Sequence, residues 1–120
     1  MSIFRKHFPW DSVHTIYPLA VAKVRERYGH AFGLIVMRDL YDRFDELGVR
    51  VGVVYMPNKG QEHFSWQVFP LNAPHLYTFH YEADRHEAEV KAFTTAFQLL
   101  NLQLATDELK PNSAATPESL

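Results

Sequence analysis

Two histidines, a serine and an arginine stand in phase on three neighbouring stretches of alternating sequence, and their types could do chemistry. His63 and Ser65 belong to residues 61–69, Arg50 to residues 49–56 and His80 to residues 75–82. An imidazole beside a hydroxyl is the minimum for a base-activated nucleophile. Two imidazoles with a carboxylate, here Glu82 or Glu62, are the beginning of a zinc site. Neither set is complete. Ser65 sits among His63, Phe64, Trp66 and Gln67, with no GxSxG turn to expose its oxygen, so Ser65 with His80 is a weak nucleophile–base pair. Zinc needs three or four converging donors at about 2 Å, and Glu62 has the opposite phase to His63. The other histidines (His7, His14, His30, His75, His86) lack HExxH spacing, and the five glycines form no phosphate loop. Asp39, Asp42, Asp45 and Glu46 lie on the solvent side of a helix beside Arg38 and Arg43, which does not make a carboxylate pair for acid–base work. No catalytic residue, metal or cofactor is therefore expected.

The elements that must position these residues follow from periodicity. Val49, Val51, Val53 and Tyr55, then Phe64, Trp66 and Val68, then Tyr77, Phe79 and Tyr81 recur at every second position, the period of strands with one face in a core. Residues 57–60, Pro-Asn-Lys-Gly, read as a four-residue hairpin loop. That loop places Val53 opposite Phe64, Val51 opposite Trp66 and Val49 opposite Val68. The reverse face then carries Arg50 opposite Gln67, Gly52 opposite Ser65 and Val54 opposite His63, with His80 joining from the third strand. Gly52 leaves a bare place in mid-strand.

Around this meander the pattern is helical. Val13, Ile16, Tyr17, Ala20, Val24 and Tyr28 recur three or four apart, with Asp11 placed to cap; Pro18 interrupts, which favours a short turn and then a helix starting near Pro18. Met37, Leu40, Tyr41, Phe44 and Leu47 form a second helix ending at Gly48, with Arg38–Asp42 and Asp39–Arg43 spaced as ion pairs. Residues 31–36 fit either its first turns or a fourth strand. Asp84 and Glu87 open the last helix as a capping box, followed by Val90, Phe93, Phe97, Leu100 and Leu104. Leu99 and Leu102 add apolar surface beyond one seam, as an oligomer contact would. The expected fold is a single α+β domain over residues 1–105, of order α-α-β-β-β-α, with a three- or four-stranded antiparallel meander and helices on one face. Residues 106–120 are expected to be a disordered tail.

Composition narrows the function class. A net charge of −2 over 120 residues gives no bulk attraction to nucleic acid or anionic membrane. Two helices before a hairpin invite comparison with a winged helix, but the acidic second helix would repel phosphate. No window approaches 18 uninterrupted apolar residues, and no cysteine is present, which suits a soluble cytoplasmic protein.

Seventeen aromatic residues either fill a large core or leave some of their surface for a pocket or an interface. The first functional expectation is therefore a non-enzymatic domain binding a small apolar or cationic molecule. Its cleft would be lined by Tyr55, Trp66, Phe79 and Tyr81, with Arg50, His63, Ser65 and His80 on the polar face as further contacts. The alternative is a structural or protein-interaction module whose spare apolar surface forms a homodimer, a higher homo-oligomer or a partner interface. An enzyme built on the polar face ranks third.

Overall fold

The computed structural model describes residues 9–29, 37–58, 61–73 and 80–109. The elements run α1 (Trp10–Ile16), α2 (Pro18–Arg25), α3 (Met37–Glu46), β1 (Val49–Asn58), β2 (Gln61–Pro70), β3 (His80–Glu82) and α4 (Arg85–Leu109). The strands form one antiparallel sheet of order β1-β2-β3, so the fold is α+β with one helix more than the expected order.

The extra helix comes from the break at Pro18. Asp11 lies inside α1 rather than capping it, and Pro18 takes the first position of α2, where its missing N–H is not needed. The break also resets the helical phase. Val13, Ala20 and Val24 are buried, whereas Ile16 of the same expected stripe is 60% exposed.

Both ends of α2 are satisfied from a distance. At its start the Ala20 N–H donates to Asn101 Oδ1 on α4 at 3.0 Å. At its end Arg43 of α3 donates from Nε to the Val24 carbonyl at 3.2 Å and from Nη2 to the Lys23 carbonyl at 2.6 Å. The Arg43 guanidinium thus meets the carbonyl end of a helix, where orphan acceptors and the macrodipole favour a cation. The expected i, i+4 pairs Asp39–Arg43 and Arg38–Asp42 do not form among the described residues; Arg43 has better acceptors, and its remaining nitrogen reaches Glu46 at 3.2 Å.

Elsewhere local chemistry behaves as expected. Gly48 closes α3 at φ +87°, a left-handed value that a side chain would resist. Asp84 Oδ2 accepts the Glu87 N–H at 3.0 Å at the start of α4. Phe44, Phe93 and Phe97 are fully buried and meet edge-on or tilted, with the Phe44 and Phe97 rings 5.0 Å apart. Ala88, Ala92 and Ala96 are also fully buried, and the core closes on Val49, Val51 and Trp66 of the sheet. Helix α4 continues to Leu109, four residues past the expected domain limit; residues 110–120 of the expected tail lie outside the described residues. So do residues 31–36, the candidate fourth strand.

The hairpin register differs from expectation by two residues. Val53 pairs with Trp66, Val51 with Val68, Tyr55 with Phe64 and Gly52 with Gln67, because β1 runs through Pro57 and Asn58 and leaves only two residues to connect the strands. A ladder bond explains how a strand tolerates Pro57. Leu71 N–H donates to the Gly48 carbonyl at 2.9 Å, so the even-numbered residues of β1 exchange hydrogen bonds with β2 and the odd ones point away. Pro57 is odd, and Pro70 lies opposite odd Val49, so neither proline removes a bond between the two strands. An even shift keeps every side chain on its expected face.

Candidate functional site

The third strand does not keep its expected face. Trp66 pairs with His80, Ser65 with Tyr81 and Phe64 with Glu82, so His80 and Glu82 share the inner, helix-covered face and Tyr81 lies on the outer one. The odd displacement takes Tyr81 off the face expected to hold Trp66, and His80 off the face expected to place it beside Ser65 or His63. Its energetic basis is visible at both residues of the inner face. His80 stacks on the Trp66 indole, with ring centroids 4.2 Å apart and planes at 19°. Glu82 accepts from Lys91 of α4 at 2.9 Å. With β2 as its one neighbour among the described residues, β3 holds these two contacts and leaves one tyrosine, 57% exposed, on the outer side.

The expected site residues therefore divide between two environments. On the inner face Trp66 is 7% exposed and belongs to the core, and its Nε1 has no hydrogen-bond partner among the described residues. Tyr55 is 47% exposed, with its ring against Phe64 at 5.3 Å. Phe79 lies outside the described residues. On the outer face Ser65 is buried between its cross-strand neighbours Val54 and Tyr81. His63 meets Tyr81 edge-on at 5.3 Å. Arg50 begins that face, opposite Phe69, and its Nε donates to Asp45 at 2.7 Å. Gln67 lies over Gly52: a Cβ there would come within 3.0 Å of Gln67 Nε2, so the expected bare place is filled by the facing side chain.

This arrangement limits the chemistry. Ser65 and His80 lie on opposite sides of the sheet, so they do not form a nucleophile–base pair. His63 and His80 are likewise on opposite sides and cannot bind one ion together. Among the described residues, no three histidine, aspartate or glutamate side chains converge as a metal site would require. One shifted acid lies elsewhere, between α3 and α4. Burial holds the Glu89 carboxyl above its usual range, against the pull of Arg85 at 3.8 Å and of the Tyr41 hydroxyl, which donates at 3.5 Å. Burial also raises the Tyr41 phenol, so it stays protonated as a donor. Glu89 serves the helix packing rather than the sheet.

Four of the exposed apolar residues gather at the hairpin end of the sheet. Val54 is 51%, Met56 39% and Tyr81 57% exposed on the outer face, and Tyr55 is exposed on the inner one. At the hairpin end β1 therefore shows apolar side chains on both faces. The signal was present in the alternation, because Val54 and Met56 occupy the phase that a solvated sheet face gives to polar residues. Two open grooves flank the last turns of α4, one touching Leu47, Leu71, Leu102 and Thr106 and the other Leu19, Lys23 and Leu104; none of the expected aromatic residues lines either. No helix among the described residues is long and apolar enough to cross a membrane. Compared with protein-family models, curated proteins and solved structures, this chain matches none.

Proposed function

We propose that this domain is a protein-interaction module that self-associates through apolar surface left uncovered by its helices. The observation that carries this reading is the run Val54, Tyr55, Met56 at 51%, 47% and 39% exposure, two successive faces of one strand open at once. A single layer of helices covers only one face of a sheet, so a second apolar face is a reason for another layer. Contiguous exposed apolar surface of this kind marks interaction sites more often than isolated residues do.

The small-molecule reading has less support. It calls for an enclosed aromatic cleft, and here Trp66 is packed into the core, His80 covers one side of its ring, and Tyr81 lies on the opposite side of the sheet. Sedimentation equilibrium of the full chain across a wide concentration range tests the proposal. A concentration-dependent mass approaching a whole multiple of the monomer is expected, and a monomer mass persisting at high micromolar concentration overturns it. Tryptophan fluorescence shifted by small apolar or cationic compounds, in a chain that stays monomeric, would turn the choice back to ligand binding.

A further inference from the structure

Building on the self-association reading, we infer that the contact is made by the outer face of the sheet, packed against the same face of a second copy with Val54, Met56 and Tyr81 at its centre.

Two small sheets can join edge to edge or face to face. The edge of β1 is closed at the helix-proximal end. The N–H and C=O of Val49 and Val51 point toward that edge, yet these residues are only 0% and 5% exposed as whole residues. On the outer face Val54, Met56 and Tyr81 are 51%, 39% and 57% exposed, although Ser65 between Val54 and Tyr81 is only 4% exposed, and none of these side chains belongs to the core cluster.

The charge of that face identifies its occupant. Among its described residues this face carries no Asp, Glu or Lys, and Asp45 already neutralises its one arginine, Arg50, at 2.7 Å. A face with a strong field selects a partner of opposite sign; a nearly neutral one meets its own copy without repulsion. Val54, Ser65 and Tyr81 form one row across the three strands, and Met56 with His63 forms the next. A two-fold axis along the strands lays these rows on themselves, apolar on apolar, in an isologous contact.

The area sets the strength. Two ten-residue strands and one of three cover about 370 Å² in flat projection, at ~3.4 Å per residue and ~4.8 Å between strands. Standard interfaces use about 800 Å² per partner, so contact through this face alone is smaller than standard and belongs among weak, transient associations.

The test compares Val54→Asp with Leu102→Asp, which places the same charge on the exposed leucine of the α4 groove. Val54→Asp is expected to raise the dissociation constant more than tenfold, and Leu102→Asp to leave it within twofold. Because the chain has no cysteine, spin labels at Val54→Cys and Leu102→Cys give an independent geometric reading. With the two sheets ~10 Å apart, labels at 54 should lie much closer together than labels at 102, which sit on the helix layer behind the opposite face. A dimer lost on Leu102→Asp but kept on Val54→Asp would overturn the sheet-face contact while leaving self-association standing. A wild-type monomer would overturn both.

Discussion

Replacing Arg43 by methionine should destabilise the fold by about 2–4 kcal/mol, and this value follows from what the guanidinium touches. Its side chain is 11% exposed and donates to the Val24 and Lys23 carbonyls at 3.2 and 2.6 Å, two bonds that close the end of α2 from α3. A hydrogen bond from a charged group contributes about 1.5–3 kcal/mol, and a cation at a helix C-terminus adds about 0.3–1 kcal/mol. Methionine retains most of the apolar stem and avoids burying a charge, which offsets part of the loss. The Lys23 carbonyl also keeps a weaker bond from the Glu26 N–H at 3.3 Å. The remainder is a substantial part of the 5–15 kcal/mol that stabilises an ordinary domain. Urea unfolding followed by the fluorescence of Trp10 and Trp66 measures it, with an unchanged m-value expected. Arg43→Lys keeps the charge but lacks the fork, and should fall between wild type and methionine. Asp39→Asn separates the two accounts of Arg43. If the arginine were held by an i, i+4 ion pair, both variants would show similar losses; with carbonyl partners, Asp39→Asn stays within about 0.5 kcal/mol. An Arg43→Met protein as stable as wild type would refute the capping argument.

Further outcomes can be checked on the same instrument. Asn101→Ala removes the acceptor of the Ala20 N–H and should cost about 1–2 kcal/mol, the range of a helix N-cap; Asn101→Asp, which keeps an acceptor, should cost less. Phe97→Ala empties a fully buried site between Phe44 and Trp10 and should cost about 3–5 kcal/mol, with loss of the near-ultraviolet aromatic signal. The pH dependence follows from Glu89. Because its folded pKa is raised, its protonated form favours the fold, so this contribution is complete below the ordinary glutamate value of about 4.3 and disappears as pH rises through the folded pKa. Glu89→Gln should flatten that part of the stability profile, and an unchanged slope would contradict the burial assigned to it. Glu46 has the opposite sign. Hydrogen bonding to Arg27 lowers its pKa, so its contribution is present above the ordinary value and lost on acidification, and Glu46→Gln should narrow the acid loss.

Much of the architecture is legible in the chain because its signals are local. The period of two in β1 and β2 assigns Val51, Val53, Phe64, Trp66 and Val68 to the core side whatever the loop length, provided any error of register is even. Pro18 at a helix start, Gly48 at a helix end and Asp84 capping the Glu87 N–H each act within a few residues, and each occurs where local chemistry places it. The connection is shorter than the expected four-residue loop because proline reads as a strand breaker until the ladder's parity is known. That parity depends on the partner strand.

The candidate site was less legible for the same reason. Whether His80 accompanies Ser65 or Trp66 depends on a one-residue displacement of a three-residue edge strand, and both His80 and Tyr81 suit either side. The stack on Trp66 and the Lys91–Glu82 pair decide it, and these involve residues 14 and 9 positions apart in the chain. Arg43 and Asn101 show the same limit: one resembles a helical ion-pair partner and the other a solvated polar residue on an apolar helix, until the carbonyls of Lys23 and Val24 and the amide of Ala20 arrive beside them.

Residue order alone thus settled the types of the elements, the core side of the hairpin and the near-neutral charge, since each depends on neighbours no more than about four positions away or on simple composition. Folding decided which strand pairs share a row, which helix ends are capped by distant side chains, and that the exposed Val54, Met56 and Tyr81 gather on one face of the sheet. Those outcomes depend on contacts between segments far apart in sequence, whose free energies compete only once the layers have assembled.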